Sequence, residues 1–252
     1  MLLLYKRAET YMKNSKEYSK KIATLYQSLK RKGNKVQKPE PETVVDSLIY
    51  GIISEKLSEK DTESALKKFN DYFVDFNDLR VSRPEEIAEI LGEDNAENRE
   101  IATSITKLLN RIFNESNQVD LEILHKLGKR PARQKLEKME ELSRFAVDYC
   151  MLIALDSHAI PVTETMIDYL KSNDFIDADA DEATIEGFLA KQIAAKNGYE
   201  FYKLLRHESE TNRKQTKSTK APASKKAEKT TTVKKVKKVA KDPAATKSKR
   251  KK

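Results

Sequence analysis

The chain of 252 residues carries 49 Lys and Arg against 40 Asp and Glu, with one cysteine and no tryptophan. The excess is uneven: residues 211–252 hold 17 Lys and Arg against 2 Asp and Glu, which leaves 32 against 38 in residues 1–210. The lone Cys150 excludes an intramolecular disulfide and a cysteine-built metal cage, and an acidic body joined to a strongly basic end points to a polyanionic partner. The body is long enough to bury a sizeable core, as one domain or two small ones. Met1-Leu2-Leu3-Leu4 is too short for the apolar stretch of a secretion signal, and no long apolar run follows, so neither secretion nor membrane spanning is expected.

The helical period recurs along the body, and period-two strand patterns do not. Residues 15–31 predict a basic helix with Ile22, Leu25, Tyr26 and Leu29 on one face. A Lys-rich linker from Arg31 to Pro41 follows it. Val44, Leu48 and Ile52 fall four apart behind Pro41, a residue suited to a helix entry. Asp61 or Thr62 can cap a helix carrying Ala65, Leu66, Phe69, Tyr72 and Phe73. Ser82, with Pro84 and Glu85 behind it, predicts the start of a short helix that ends near Gly92. Ile101, Ile105, Leu108, Leu109 and Ile112 stripe a longer helix. Leu121, Leu124 and Leu127 mark a shorter one, with Gly128 as its C-cap. Phe145, Tyr149, Leu152 and Ile153 share a face before Ile160-Pro161. Ile185, Phe188, Leu189 and Ile193, then Tyr199, Phe201, Leu204 and Leu205, complete an all-α body.

The stretch Met139-Glu140-Glu141-Leu142-Ser143-Arg144-Phe145-Ala146, its apolar continuation to Leu155, and His158-Ala159-Ile160-Pro161-Val162-Thr163-Glu164-Thr165 resemble the helix-hairpin-helix DNA glycosylases of the endonuclease III group. The resemblance runs from about residue 41 to 208. It implies a two-lobed helical bundle at 41–210; the N-terminal helix and linker take up 1–40, and composition makes residues 211–252 a disordered Lys-rich tail. It also implies where chemistry should sit, and there the residues depart. Thr163 stands at the position of the family's catalytic Asp, and Phe145 at that of its lysine nucleophile. A threonine oxygen can cap a helix but cannot act as a carboxylate base, and a phenyl ring cannot form a Schiff base. The substitutes within reach are Glu164, Lys138 and Lys135. Glu164 lies about 100° around the helix start, and both lysines also read as a solvated helix face. The hairpin at 139–146 has no glycine to let backbone N–H groups approach a phosphate.

Lys56 stands where the family has a glutamine that enters DNA. Lys129, Arg130 and Arg133 form a basic turn suited to phosphate contact. Relatives often hold an iron–sulfur cluster near the C-terminus, but residues 171–210 contain no cysteine. His125, His158 and His207 have no ligand spacing, so no metal or other cofactor is expected. From Thr211 on there are no aromatics, so the tail has no base-stacking platform and cannot fold on its own apolar surface. Its lysine pairs (Lys225, Lys226, Lys234, Lys235, Lys237, Lys238) and its end (Lys249, Arg250, Lys251, Lys252) should bind DNA, or RNA, without reading sequence.

The resulting expectation is a DNA-binding protein on a glycosylase scaffold without the standard glycosylase/lyase activity. One alternative is an active glycosylase or abasic-site lyase of base-excision repair with relocated residues. Another is a histone-like nucleoid or scaffold protein. The expected location is the cytoplasm, at the nucleoid if the source is bacterial.

Overall fold

Helix starts in this molecule are written by short polar side chains. The computed structural model describes residues 14–33, 35–41 and 43–219, with side chains to 214. Among these residues there are twelve α-helices, one 3₁₀ turn and no strand. Helix α1 spans Ser15–Lys32 and α2 Val44–Lys56, the latter opened by a capping box between Thr43 and Asp46. Helix α3 (Glu59–Tyr72) is capped by Ser58 rather than by Asp61 or Thr62. The Ser58 hydroxyl accepts from the Asp61 N–H and donates to the Asp61 carboxylate, while Thr62 donates back to the Ser58 carbonyl. The two expected caps thus complete the first turn instead of starting it.

Helix α4 (Phe76–Val81) is a short element that the apolar pattern does not reveal. Asp75 caps it by accepting from the N–H groups of Asn77 and Asp78. Ser82, expected to open the next helix, closes α4 instead, its hydroxyl donating to the Asp78 carbonyl at 2.8 Å. Arg83 then precedes α5 (Pro84–Leu91). Helix α6 (Ala96–Ser116) starts on Asn95, and α7 (Ile123–Lys126) is a single turn. Gly128 is not the expected C-cap: with φ −65° and ψ 158° it is extended, and it leads into α8 (Lys129–Leu136). The expected basic turn is therefore a helix, with Pro131 in its first turn, where a missing N–H is harmless.

Helix α9 (Arg144–Ile153) is capped by Ser143, α10 (Glu164–Ser172) by Thr163 and α11 (Glu182–Gln192) by Asp181. A 3₁₀ turn, Ala195–Asn197, runs into α12 (Gly198–Thr219). This last helix thus continues well past residue 210.

Two groups of helices divide the chain. Helices α2 to α6 pack on one another, and α9 packs on α2 and α8. Helices α10, α11 and α12 form the second group with α1, so the first and last described helices pack together. One hydrophobic cluster links them, running from Ile22 and Leu29 of α1 through Leu48 and Ile53 of α2 to Phe201 and Leu205 of α12. All the described residues belong to one compact unit that ends at Thr219.

Helices α2 and α9 cross closely. A Cβ on Gly51 would stand 2.9 Å from the Ala146 Cα, so the two backbones touch where glycine removes the obstacle. Gly187 in α11 has open space around the same position. Gly51→Val should therefore destabilise by about 1–3 kcal/mol or more. Gly187→Ala should stabilise by roughly 0.5–1 kcal/mol through helix propensity alone. Thermal melts of the two variants check the contrast, and equal shifts in the same direction would refute it.

Candidate functional site

Thr163 keeps its expected structural half. Its Oγ1 accepts from the Met166 N–H at 3.3 Å, and the residue is 7% exposed. Ile160, Pro161 and Val162 before it are buried. Glu164 is exposed on the first turn of α10. Lys135 sits on α8 at 3.9 Å from Glu115 of α6, and Lys138 is exposed in the turn after α8.

Phe145, in the first turn of α9, is 1% exposed and lies in an aromatic cluster. Its ring centroid is 6.2 Å from that of Tyr149 and 6.3 Å from that of Tyr202. Tyr50 of α2 stacks on Tyr149 at 4.6 Å, and Tyr199 adds a further ring at 6.2 Å from Tyr202. Burial raises the hydroxyl pKa of Tyr149 and Tyr202, so both stay neutral phenols.

Arg206 of α12 closes this cluster from the other side. Its guanidinium carbon is 5.9 Å from the Phe145 ring centroid, and the residue is 1% exposed. Every arm is occupied: Nη2 donates to the carbonyls of Ser54 (2.6 Å) and Leu57 (2.9 Å), Nη1 to the Tyr202 hydroxyl (2.9 Å) and Nε to Glu210 (2.9 Å). Desolvation opposes its charge, but Tyr202 and Glu210 outweigh that cost and hold its pKa above the ordinary arginine value. The volume beside Phe145 thus contains rings and a permanently charged guanidinium. The sequence signal was present, since Arg206 directly follows the largely apolar run Phe201, Tyr202, Leu204, Leu205. Its partners on α2, about 150 residues away in the chain, were not visible.

Two of the three cations of the predicted basic turn are spent inside the protein. Lys129 Nζ donates to the Leu155 carbonyl at 2.6 Å and also to that of Asp156, so it caps the end of α9. Arg133 pairs with the buried Asp148 and, at 2.9 Å, with Glu137. Arg130 is exposed and has no partner among the described residues. Lys56, the last residue of α2, lies 3.9 Å from Glu100. Lys225, Lys226, Lys234, Lys235, Lys237, Lys238, Lys249, Arg250, Lys251 and Lys252 lie outside the described residues.

The turn between α8 and α9 is acidic, with Glu137 and Glu140 exposed and Glu141 bonded to Arg111 at 3.2 Å. Between this turn and α6 runs an open groove of about 500 Å³, lined by Arg99, Thr103, Ser104, Lys107, Glu140 and Glu141. It adjoins a recess of about 250 Å³ that includes Glu55, Lys56, Glu100 and Ser143. Carboxylates outnumber cations in both, a lining poorly suited to a phosphate backbone.

Behind the turn lies a second feature, one without a signal in the residue spacing. Arg144 pairs with Glu186 of α11, which is 4% exposed and whose Oε1 has no hydrogen-bond partner. Burial, and after it the charge of Asp148, pushes the Glu186 carboxyl up to about 8. Burial also raises Asp148, against the pull of Arg133 and Arg144. Cys150 is buried, and its thiol is pushed up to about 12, which leaves it an inert core residue. A cluster held by four thiolates does not fit a chain with this single cysteine. No helix of the described residues is long and apolar enough to cross a membrane.

Helices packed in two lobes, with α8, a tight turn and α9 in the middle, define the fold of the helix-hairpin-helix DNA glycosylases. The solved structures that this chain is similar to carry that fold. They include an endonuclease III–DNA complex, with TM-score 0.59 and 15% identity over 75% of this chain and 84% of that one. They also include the Clostridium acetobutylicum 8-oxoguanine glycosylase/lyase with double-stranded DNA, at TM-score 0.61 and 15% identity over 79% and 71%. A third is the H. pylori 3-methyladenine DNA glycosylase, at TM-score 0.53 and 14% identity over 79% and 98%. No family model and no curated protein matches the sequence.

Proposed function

We propose that this protein binds DNA on a glycosylase scaffold that has lost glycosylase and lyase chemistry. In this reading it binds chiefly, and without sequence readout, through the Lys-rich segment at its C-terminal end. The observation that supports the reading is the packing around Phe145: five rings and Arg206 cluster at the position that the resemblance assigns to the lysine nucleophile. A Schiff base needs a deprotonated amine, and a guanidinium held above the ordinary arginine pKa does not supply one. Thr163 lacks the carboxylate that would stabilise a developing oxocarbenium centre. Support for DNA as the ligand comes from the fold, whose solved neighbours are DNA glycosylases, several of them with DNA bound. The concentration of 17 Lys and Arg in residues 211–252 adds to it, because cations that neutralise phosphates release counterions irrespective of sequence.

The test pairs binding with trapping. Full-length protein and a form ending at Thr219, which retains the whole of α12, are titrated with undamaged and abasic duplex across a salt series. Borohydride is added to parallel samples. The expected result is no covalent adduct, equal affinity for the two duplexes, and a steep salt slope that falls sharply with the C-terminal segment. A covalent adduct that disappears in Lys138→Gln or Lys135→Gln would instead establish an active lyase with a relocated amine.

A further inference from the structure

Helix α1 has two faces with different fates. One is fastened to the body: Ile22, Leu25, Tyr26 and Leu29 are buried, and Tyr26 bonds to Glu200. Flanking cations are paired, Lys21 with Asp174 at 2.7 Å, Lys30 with Glu200 at 3.1 Å and Lys32 with Glu208 at 3.0 Å. The opposite face carries Lys16, Lys20, Ala23, Thr24, Gln27 and Arg31, all exposed. At about 100° per residue these six positions fall within a single arc of about 100°. Lys16, Lys20 and Arg31 have no hydrogen-bond or ion-pair partner among the described residues. The fold therefore holds rigid a ridge of unpaired cations to which no carboxylate of its own is matched.

We propose that this outward face of α1 is a second contact for the sugar–phosphate backbone of duplex nucleic acid, separate from the C-terminal lysines. The proposal rests on the DNA-binding reading above and adds a place on the folded body to it. From Lys16 to Arg31 the helix rises about 22 Å, a length over which a duplex presents about a dozen phosphate charges. Side chains of this kind fix a duplex in position without reading its bases. An anionic membrane surface is the weaker fit. Interfacial helices bury a large apolar face in the lipid, whereas the exposed arc of α1 has nothing larger than Ala23 to insert, and its large apolar residues are already buried in the core.

The experiment uses full-length protein throughout. The triple variant K16Q/K20Q/R31Q is compared with a charge-matched control, K60Q/K67Q/K196Q, which removes three exposed and unpartnered lysines elsewhere on the body. Affinity for an undamaged duplex is measured across a salt series, with circular dichroism confirming that each variant is folded. The α1 variant should lose about two to three from the magnitude of the salt slope, at about 0.9 per phosphate contact. The control should leave the slope unchanged. Equal losses in both variants, or none in either, overturn the α1 site while leaving DNA binding intact. Failure of the unsubstituted protein to bind the duplex at all overturns the DNA-binding reading itself. Binding to phosphatidylserine vesicles that the α1 variant loses, beside unchanged duplex binding, would reassign the ridge to membranes and overturn the proposal.

Discussion

Arg206→Leu should be among the most damaging single substitutions in the body, lowering stability by about 3–5 kcal/mol, the range for breaking a buried charge network by removing one partner. The guanidinium has five donors in a planar fork, and here they serve the carbonyls of Ser54 and Leu57, the Tyr202 hydroxyl and Glu210. Leucine fills much of the volume but leaves the carbonyls at the end of α2 without their donors and the half-buried Glu210 without its cation. Glu210 also accepts from the Glu59 N–H at 3.2 Å, so the start of α3 loosens too. For a body of this size the fall in melting temperature should be on the order of 10 °C. Arg206→Lys should recover only part of it, because an ammonium on a flexible stem cannot span carbonyls, phenol and carboxylate together. Thermal and urea melts of the two variants decide the matter. A leucine variant that melts within a degree or two of the parent would show that the network contributes little.

Glu186→Gln should change how stability depends on pH. The folded-state carboxyl is pushed up to about 8 by burial first and by Asp148 next, against the opposing pull of Arg144. A carboxyl raised in this way binds its proton more tightly in the folded state than in the unfolded chain. Its contribution is thus fully present below the ordinary glutamate value and is lost as pH rises toward 8. Asp148, raised by burial as well, acts with the same sign. The wild-type protein should therefore lose on the order of a few kcal/mol between about pH 5 and pH 9 at this site. The glutamine variant keeps the shape, removes the titration and should be the more stable protein at pH 9. Denaturant midpoints at pH 5, 7 and 9 measure the effect. An unchanged pH slope in the glutamine variant would place the sensitivity elsewhere.

The aromatic filling around Phe145 and the α1 ridge bear on the same question. If the body once needed an open pocket, that space is now taken by core. Two cations of α8, Lys129 and Arg133, tie that helix to α9. In the reading proposed above, contact with a polyanion falls to the outward side of α1 and to the lysines of residues 211–252.

Much of this was legible in the chain itself. The apolar stripes Val44–Leu48–Ile52 and Ile101–Ile105–Leu108 mark true core faces, because a side chain's place on a helix follows from spacing alone. Thr163 before an apolar helix was recognisable as a cap, since capping is satisfied within three residues. The absence of a lysine at 145 needed only the sequence.

What the tertiary structure decided are the partners of long polar side chains. Whether Gly128 ends one helix or begins another depends on an extended backbone that glycine permits but does not dictate. Lys129 and Arg133 read as solvent-facing cations until α9 brought Leu155, Asp156 and Asp148 to them. Nothing in the spacing shows that Asp148 and Glu186 are buried, or that the end of α2 offers Arg206 its carbonyls. Spacing along a chain fixes which way a residue points on its own helix. What it meets there is set by helices distant in sequence, and the energy of a buried charge depends almost wholly on that meeting.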